Sequence, residues 1–440
     1  MAAPTPAFIA ALSQRLGPGL VSTEPGDLEA YGRDWTRIYP SAPSALLRPR
    51  STAEVSEILR ECHAAGVSVV PSGGRTGLAG GAVASHGEVV LSLERMRKLG
   101  EVDTVGQTLG VEAGAVTEAV HQHAAQHGLT WPIDLASKGS CQIGGNIGTN
   151  AGGVRVIRYG HTRHWVLGLT VVLADGSVLD MNRALEKNNT GTDLRQLFIG
   201  SEGTLGVVTE ATLKLCRLPP EQRVMLFAVG GIEDVLRFFA QARKGPFIIG
   251  AFECFSQKCL EHVMAEKKIG APLASARDFY VLMEVEGADE PLHGWLESML
   301  EQGLVADGTL AQDSLQARRL WTYREGISES LAPRFPHKND VALPVHALAA
   351  FHRDLEALLA QRYQGWEVCV FGHIGDGNLH LNFLKPASMS VPELIGHTAS
   401  ADHELFALVQ RHGGSISAEH GIGLVKKAYL HYSRTAHEIA

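Results

Sequence analysis

The pattern of hydrophobic and polar positions predicts helices and strands in irregular alternation along the chain. Apolar side chains recur at helical spacing over residues 52–65, and the Ser51-Thr52 pair offers an N-cap for that helix. Residues 67–70 then form a predicted strand that Pro71 ends. Further short apolar runs lie at 89–93, 109–111 and 165–173, with one helical stretch at 116–127. The pattern therefore predicts an α+β fold.

The distribution of glycine divides the chain into two parts. Glycine clusters at 73–81, 139–153 and 200–206, whereas residues 222–365 are more helical and poorer in glycine. Between these parts, the consecutive prolines Pro219 and Pro220 interrupt regular backbone hydrogen bonding. We therefore predict a domain boundary near residue 218.

Composition excludes several classes of function. The 440 residues are 45% hydrophobic, and the formal net charge is −8. Acidic and basic residues are interspersed along the chain, so the sequence indicates no basic patch that would bind nucleic acid or anionic lipid. The six cysteines include no Cys-x-x-Cys pair, so we expect small buried hydrophobic residues rather than a disulfide scaffold or a thiolate zinc site. Neither a signal peptide nor a membrane span is indicated. We expect a cytoplasmic protein with a small-molecule partner.

The glycine clusters suggest a binding site for a phosphate-bearing ligand. Glycines let backbone N–H groups turn toward a phosphate without obstruction by side chains. The first cluster, PSGGRTGLAGG at 71–81, follows a predicted strand, although for one such loop alone a flexible surface loop is the better explanation. Two more glycine clusters lie at 139–153 and 199–208. Because three such clusters occur in one chain, a binding site for an extended diphosphate-bearing ligand explains them better than flexible loops do. The chain contains no G-x-G-x-x-G, which removes support for a nicotinamide-type Rossmann site.

A candidate metal site lies in the segment FGHIGDGNLHLN at 371–382. It reads as a hairpin, and a turn centred on Asp376 and Gly377 would place His373 directly opposite His380. Two opposed imidazoles, about 5 Å apart at Cβ, can share one metal ion. Twenty histidines in this chain will also produce such a spacing by chance. A carboxylate to complete the ligand set is available in SAEHGIG at 417–423.

Three segments, PSGGRTGLAGG, GSCQIGGNIGTNAGGVRVIRYG and FIGSEGTLGVVTEATLKL, resemble the FAD-binding segments of the vanillyl-alcohol-oxidase-type flavoproteins. The resemblance implies a two-part FAD-binding domain with a separate α+β substrate (cap) domain. It implies that the first segment contacts the pyrophosphate, the second the flavin and the third the adenine side. The positions implied to contact FAD are Pro71, Gly73, Gly74, Arg75, Thr76, Gly77, Leu78, Ser140, Gly144, Gly145, Asn146, Thr149, Ala151, Glu202, Gly206 and Val207. Arg75 and Thr76 stand where some relatives carry a linking histidine, so we expect non-covalent FAD.

The C-terminal segments FGHIGDGNLHLN and SAEHGIG resemble those of the D-2-hydroxyacid dehydrogenases within this family. The resemblance implies that His373, His380 and Glu419 hold zinc (Zn2+) and that His420 is the general base. A base beside a metal ligand also suits the chemistry, because it must approach the hydroxyl that the metal polarises. By the same resemblance, Asn382 contacts the substrate.

The same resemblance implies how a substrate with one or two carboxylates is bound. Arg324, in a segment similar to the family's W-x-x-R-E, would bind one carboxylate, and Lys338 would reach a second in the hydroxyglutarate-type members. Ser328 stands where we expect threonine in those members. Without the resemblance, Arg324 and Lys338 would read as surface charges.

We therefore expect an FAD-dependent dehydrogenase that oxidises a D-2-hydroxy acid, with D-2-hydroxyglutarate as the leading substrate. A D-lactate or glycolate dehydrogenase, and a non-catalytic flavin-binding subunit of an oxidase complex, are the alternatives. The resemblance implies an FAD-binding domain at 1–218 and a cap domain at 219–412. We expect the segment 413–440 to start the return to the FAD domain, and we expect the tail that family members normally carry after it to be missing. An electron-transfer flavoprotein or a quinone-linked carrier is the expected acceptor, and a homodimer the expected assembly.

Overall fold

The structure, a computed structural model, describes residues 3–17, 19–220 and 222–440. The chain divides into two compact units. The first comprises Met1–Gly153, Tyr159–Leu218 and Glu419–Lys427. The second comprises Val154–Arg158, Pro219–Ala418 and Ala428–Ala440. Of the predicted C-terminal segment 413–440, only residues 419–427 therefore group with the first unit.

The first unit combines short helices with strands in three sheets. Its strands are β1 (Val21–Ser22), β2 (Ala45–Leu47), β3 (Val69–Ser72), β4 (Val89–Ser92), β5 (Leu99–Asp103), β6 (Thr108–Glu112), β7 (Leu129–Thr130), β8 (Val166–Val172), β9 (Val178–Asp180), β10 (Val207–Lys214) and β11 (Cys216–Arg217). The helices are α1 (Pro6–Leu16), α2 (Pro25–Tyr31), α3 (Thr52–Ala64), α4 (Thr117–Ala125), α5 (Ile143–Thr149), α6 (Val156–Tyr159) and α7 (Arg195–Phe198), of which α6 lies largely in a segment of the second unit.

Helix α3 forms where the apolar periodicity predicts it. The Ser51 side chain accepts a hydrogen bond from the backbone N–H of Glu54 at 3.2 Å, which caps the first turn. The buried face carries Val55, Ile58, Leu59 and Cys62, and it packs against β8 and β10. Local pattern and capping are therefore sufficient to define this helix.

Strand β3 corrects one detail of the sequence prediction, because Pro71 lies inside the strand rather than ending it. The four-stranded sheet has the order β1-β2-β4-β3, so β3 is an edge strand that pairs with β4 on one side only. A proline is tolerated at an edge, where its missing N–H breaks no ladder. The first glycine segment consequently leaves this edge at Ser72.

The second sheet of this unit has the order β5-β6-β10-β8-β9 and is antiparallel throughout. Strands β7 and β11 pair separately. The core of the unit gathers around α3, β8 and β10, and it includes the fully buried Trp131. The second glycine segment joins this core through Ile143 and Ile147.

The second unit is built on one seven-stranded sheet with the order β15-β12-β14-β13-β17-β18-β16, and all its pairings are antiparallel. Its strands are β12 (Arg223–Val229), β13 (Ile248–Ser256), β14 (Phe279–Glu286), β15 (Asp307–Leu310), β16 (His337–Ala342), β17 (Glu367–Gly372) and β18 (Asn378–Leu384). The helices are α8 (Ile232–Ala242), α9 (Gln257–Lys267), α10 (Asp289–Glu301), α11 (Ser314–Glu325), α12 (Ile327–Leu331), α13 (Leu348–Arg362), α14 (Val391–Arg411) and α15 (Ala436–Ile439).

One face of this sheet is covered by α9, α11 and α12, which pack with residues of β12, β14 and β17 in a common apolar core. The short segment 154–158 also belongs to this unit, and there Arg155 Nε pairs with the buried Glu284 at 3.1 Å. In the part of the chain that the structure describes, no helix is long and apolar enough to cross a membrane.

Candidate active site

The first glycine segment packs directly on the second. A Cβ added at Gly74 would lie 2.1 Å from the carbonyl oxygen of Ser140 and 2.8 Å from Cys141 Cα. Only glycine therefore permits this approach of two backbones. The Ser72 hydroxyl and the Gln142 amide oxygen are buried here and have no hydrogen-bond partner. Because an unpaired buried polar group costs about 1–3 kcal/mol, these atoms suit a polar ligand such as FAD.

Arg75 is folded back over the first segment. Its φ of 57° is in the left-handed region, and its Nη1 donates to the Gly73 carbonyl at 3.2 Å. The guanidinium lies 4.0 Å from the centroid of the Tyr31 ring, within the range of a cation–π contact. The Tyr31 hydroxyl donates in turn to Glu94. Arg75 is therefore positioned by its neighbours rather than extended into solvent. The remaining predicted positions of this segment, Thr76, Gly77 and Leu78, follow it directly.

The second glycine segment is not a loop throughout, which corrects the prediction of three loops. Residues Ile143–Thr149 form α5, which includes Gly144, Gly145 and Asn146. The Asn146 amide donates to Thr117 Oγ1 at 2.6 Å and Thr149 Oγ1 donates to the Gly145 carbonyl at 3.1 Å. The Ala151 carbonyl accepts from Thr162. These polar groups are thus engaged inside the unit, while Ser140 is exposed.

The third glycine segment makes hydrogen bonds to the C-terminal segment 417–423, which carries Glu419 and His420. Both carboxylate oxygens of Glu202 accept backbone hydrogen bonds, from Ile422 at 2.7 Å and from Gly423 at 2.8 Å. Glu419, in the same returning segment, accepts from the Gly153 N–H at 3.0 Å. The segment that carries Glu419 and His420 is therefore anchored to the glycine-rich part of the first unit.

Gly206 and Val207 contribute to packing. A Cβ at Gly206 would meet Val171 Cγ1 at 2.7 Å, and Val207 begins β10 opposite Val172. Their backbone is thereby fixed at the edge of the glycine-rich region.

In the second unit, a buried carboxylate joins two predicted site residues. Glu253 on β13 is 1% exposed, and its Oε2 lies 2.7 Å from Arg324 Nη2. Its Oε1 lies 2.7 Å from His373 Nδ1. Arg324 is itself 7% exposed, its guanidinium stacks over the Phe371 ring, and its Nε has no hydrogen-bond partner. A buried guanidinium with an unused N–H donor can donate a hydrogen bond to a further carboxylate.

The hairpin geometry differs from the prediction, because Phe371, and not His373, is the Cα partner of His380. Residues Ile374–Asp376 form a 3-10 turn, and Gly377 follows with a φ of 85°. A Cβ on Gly377 would lie 2.1 Å from the Leu343 carbonyl oxygen, so this distant contact shapes the loop. The two imidazoles nevertheless meet, with ring centroids 5.4 Å apart.

Each of these histidines has a carboxylate at its Nδ1. Glu253 Oε1 is hydrogen-bonded to His373 Nδ1, and Asp340 Oδ1 lies 3.4 Å from His380 Nδ1. A carboxylate in this position keeps the proton on Nδ1 and orients Nε2 for a metal ion. Asp340 is fully buried, and it also accepts from Asn378 Nδ2 at 2.7 Å and from the Ala418 N–H at 3.1 Å. Residues Glu419 and His420 follow Ala418 directly in the chain.

Two more predicted residues share this face of the sheet. Lys338 on β16 is the Cα partner of Asn382 on β18, and this pair lies two residues along the strands from the pair Asp340 and His380. Burial lowers the pKa of the Lys338 ammonium, and among the described residues no carboxylate lies within ion-pair distance of it. The Asn382 amide nitrogen is buried without a hydrogen-bond partner. Ser328, by contrast, is exposed on α12.

The sequence prediction missed Glu253, Asp340 and Asn378. Glu253 is a single acidic residue within the apolar strand segment 250–255, and this signal could have drawn attention to it. Nothing in the local sequence connects it with Arg324 and His373, because those contacts span many residues.

Comparison with known proteins identifies the class. Residues 218–440 match the family model described as FAD linked oxidases, C-terminal domain, and residues 43–182 match the model described as FAD binding domain. The chain belongs to the family of FAD-linked oxidases, and it is an FAD-dependent oxidoreductase. The predicted two-part FAD-binding fold of the vanillyl-alcohol-oxidase type, with a separate C-terminal α+β domain, is confirmed.

Within this family, the chain is similar along nearly its whole length to two proteins named D-2-hydroxyglutarate dehydrogenase. One, from Xanthomonas citri pv. viticola, is 49% identical over 98% of this chain and 92% of its own length. The other, from Stutzerimonas stutzeri, is 44% identical over 99% of this chain and 94% of its own length. The solved structure of 4-ethylphenol oxidase from Gulosibacter chungangensis has a TM-score of 0.72 at 18% identity, covering 94% and 89% of the two chains, which shows a shared fold.

Proposed function

We propose that this enzyme oxidises a D-2-hydroxy acid, D-2-hydroxyglutarate, to the 2-oxo acid with FAD as hydride acceptor. The relatives named D-2-hydroxyglutarate dehydrogenase support the substrate class. The single observation that carries the proposal is the buried group formed by Arg324, Glu253 and His373, in which a cation with an unused donor adjoins a histidine pair. Such a group suits an anionic substrate beside a metal ion.

FAD would be held non-covalently by the three glycine segments. The close approach of Gly74 to Ser140, and the unpaired oxygens of Ser72 and Gln142, support a ligand with both phosphate and polar ring edges there. Arg75 would place positive charge at the pyrophosphate, since Tyr31 holds it over the segment. The predicted FAD contacts, including Glu202, Gly206 and Val207, stay predictions.

A zinc ion would be held by His373, His380 and Glu419. The carboxylates at both Nδ1 atoms support the two histidines as ligands through Nε2. For Glu419, the support is its position in the chain directly after Ala418, whose N–H is bound to the Asp340 carboxylate. When bound, zinc would polarise the substrate hydroxyl and FAD would accept the hydride from the adjoining carbon.

The residues of this chain would then bind and orient the substrate and move one proton. Arg324 holds the carboxylate next to the hydroxyl, and Glu253 keeps the guanidinium plane fixed. His420 takes the hydroxyl proton as general base. Lys338 binds the second carboxylate of a dicarboxylic substrate, and Asn382 donates from its amide. Ser328 would contact the distal carboxylate only if its exposed side chain turns inward.

The test is flavin reduction in a single turnover under anaerobic conditions. His420→Ala should retain FAD and lose reduction by D-2-hydroxyglutarate, because no group removes the hydroxyl proton. Retained reduction by this variant would contradict the assignment of the base. A panel of D-2-hydroxyglutarate, D-malate, D-lactate and glycolate, with and without a chelator, tests the substrate and the metal. If D-lactate reduces the flavin as efficiently as D-2-hydroxyglutarate does, the alternative function of a D-lactate or glycolate dehydrogenase would be favoured.

The electron acceptor, the assembly and the location are further predictions. An electron-transfer flavoprotein or a quinone-linked carrier would reoxidise the flavin, a homodimer would be the assembly, and the location would be cytoplasmic. Reoxidation assays with each acceptor, light scattering and cell fractionation test these three points.

A further inference from the structure

A second group of metal-binding side chains lies in the second unit, where α9 packs against β17. Cys259 and His262 are three residues apart on α9 and so lie on one helical face. Glu367 and Cys369 are two residues apart on β17 and so lie on one face of the strand. The two elements therefore bring an imidazole, a carboxylate and the thiol of Cys369 together, with Cys259 on the adjoining face of α9.

The distances within this group are short. His262 Nε2 lies 2.8 Å from Glu367 Oε1. Ligand atoms of His262, Glu367 and Cys369 all lie within 4.8 Å of one another. Cys259 Sγ lies 3.5 Å from the carbonyl oxygen of Val370, the residue that follows Cys369 on β17. A tetrahedral zinc ion, with bonds of about 2.0–2.3 Å, keeps its ligand atoms roughly 3.3–3.8 Å apart, so modest side-chain rotation is enough to accommodate one.

The burial of the group also suits a bound cation. Cys259 and Cys369 are fully buried, while the side chains of His262 and Glu367 are 15% and 39% exposed. An ion can therefore enter past Glu367 and His262 and reach sulfur ligands that are screened from solvent. Thiolate together with imidazole is a ligand set that favours zinc over calcium or magnesium.

We propose that Cys259, His262, Glu367 and Cys369 form a zinc-binding site, the α9–β17 site, which is additional to the metal site of the proposed function. A cation there fixes α9 to β17. Because α9 packs against α11 and α12, and α11 carries Arg324, the site stabilises the helical layer behind the substrate arginine. This proposal does not depend on the identity of the substrate.

The experiment measures zinc content and zinc coordination in the FAD-loaded enzyme. Wild type, dialysed against Zn2+, should hold one equivalent more than Cys369→Ser or His262→Ala, and X-ray absorption should show sulfur at about 2.3 Å. The proposed active-site ligands contain no sulfur, so this signal is specific to the α9–β17 site. Equal zinc content and no sulfur scattering would overturn the proposal, whatever the fate of the active-site zinc.

Controls separate this site from adventitious binding. His412 Nε2 lies 2.9 Å from Asp354 Oδ2, a comparable histidine–carboxylate pair that includes no cysteine. His412→Ala should leave zinc content and sulfur scattering unchanged, and a loss of zinc there equal to that in His262→Ala would contradict the proposal. If the cysteine variant fails to fold, the more exposed Glu367→Gln serves instead and should weaken zinc binding. Cys259→Ser should halve the sulfur scattering, and an unchanged amplitude would remove Cys259 from the ligand set.

Discussion

Replacement of Glu253 by glutamine tests the link between Arg324 and His373. The carboxylate is hydrogen-bonded to His373 at 2.7 Å, forms an ion pair with Arg324 at 2.7 Å, and is almost fully buried. Glutamine has the same shape but only one acceptor. If its oxygen faces Arg324, its NH2 faces His373 Nδ1 and drives the imidazole proton to Nε2, the proposed metal-binding nitrogen. If it is turned the other way, an NH2 group opposes the guanidinium.

The magnitude follows from these contacts. Breaking a buried charge pair by removal of one partner costs about 3–5 kcal/mol, and because glutamine keeps the shape of the side chain and one acceptor oxygen we expect the lower end. Loss of a carboxylate behind a metal-binding histidine lowers metal affinity or activity by about 10- to 100-fold. We therefore expect both a lower free energy of unfolding and weaker zinc binding in Glu253→Gln.

Urea denaturation measures the first quantity, and zinc competition against a chromogenic chelator measures the second. Glu284→Gln is the matched control, because Glu284 is also buried, is paired with Arg155 at 3.1 Å and lies on the neighbouring strand β14. It should lose stability but keep zinc affinity. The reasoning is refuted if Glu253→Gln loses stability while its zinc affinity equals that of wild type.

Three further predictions concern the substrate and FAD. Burial lowers the pKa of Lys338, so its charge is lost as pH rises through that lowered pKa. In steady-state assays the KM for D-2-hydroxyglutarate should therefore rise over the same pH range. The KM for D-lactate, and the KM values of Lys338→Met for both substrates, should not depend on pH in this way. Arg324→Lys keeps the charge but loses the planar arrangement of N–H donors. Because a charged hydrogen bond is worth about 1.5–3 kcal/mol, kcat/KM should fall roughly 10- to 150-fold. An unchanged kcat/KM would show that Arg324 does not bind the substrate. Gly74→Ala places a methyl 2.1 Å from a backbone oxygen, which should reduce the FAD content of the purified protein, whereas Gly110→Ala, with no atom within 4 Å of the added Cβ, should retain FAD.

Local sequence was sufficient for those elements whose cause lies within a few residues. The helix Thr52–Ala64 follows from one apolar face and the Ser51 cap, and strand segments follow from short apolar runs between turns. The glycine segments were recognisable because backbone freedom requires glycine itself. The resemblance of these segments to known flavoproteins then predicted the family, which the comparisons confirmed.

Tertiary structure decided the features that depend on partners distant in the chain. The register of the hairpin differs from the prediction because Gly377 packs against the Leu343 carbonyl. Glu253 acquires its role only where β13 meets β17 and α11 lays Arg324 beside it. Cys369 reads as an isolated apolar residue in the sequence, and only the packing of α9 on β17 brings it close to His262. Periodicity is encoded locally, whereas the pairing of elements a hundred residues apart depends on the burial of the whole core.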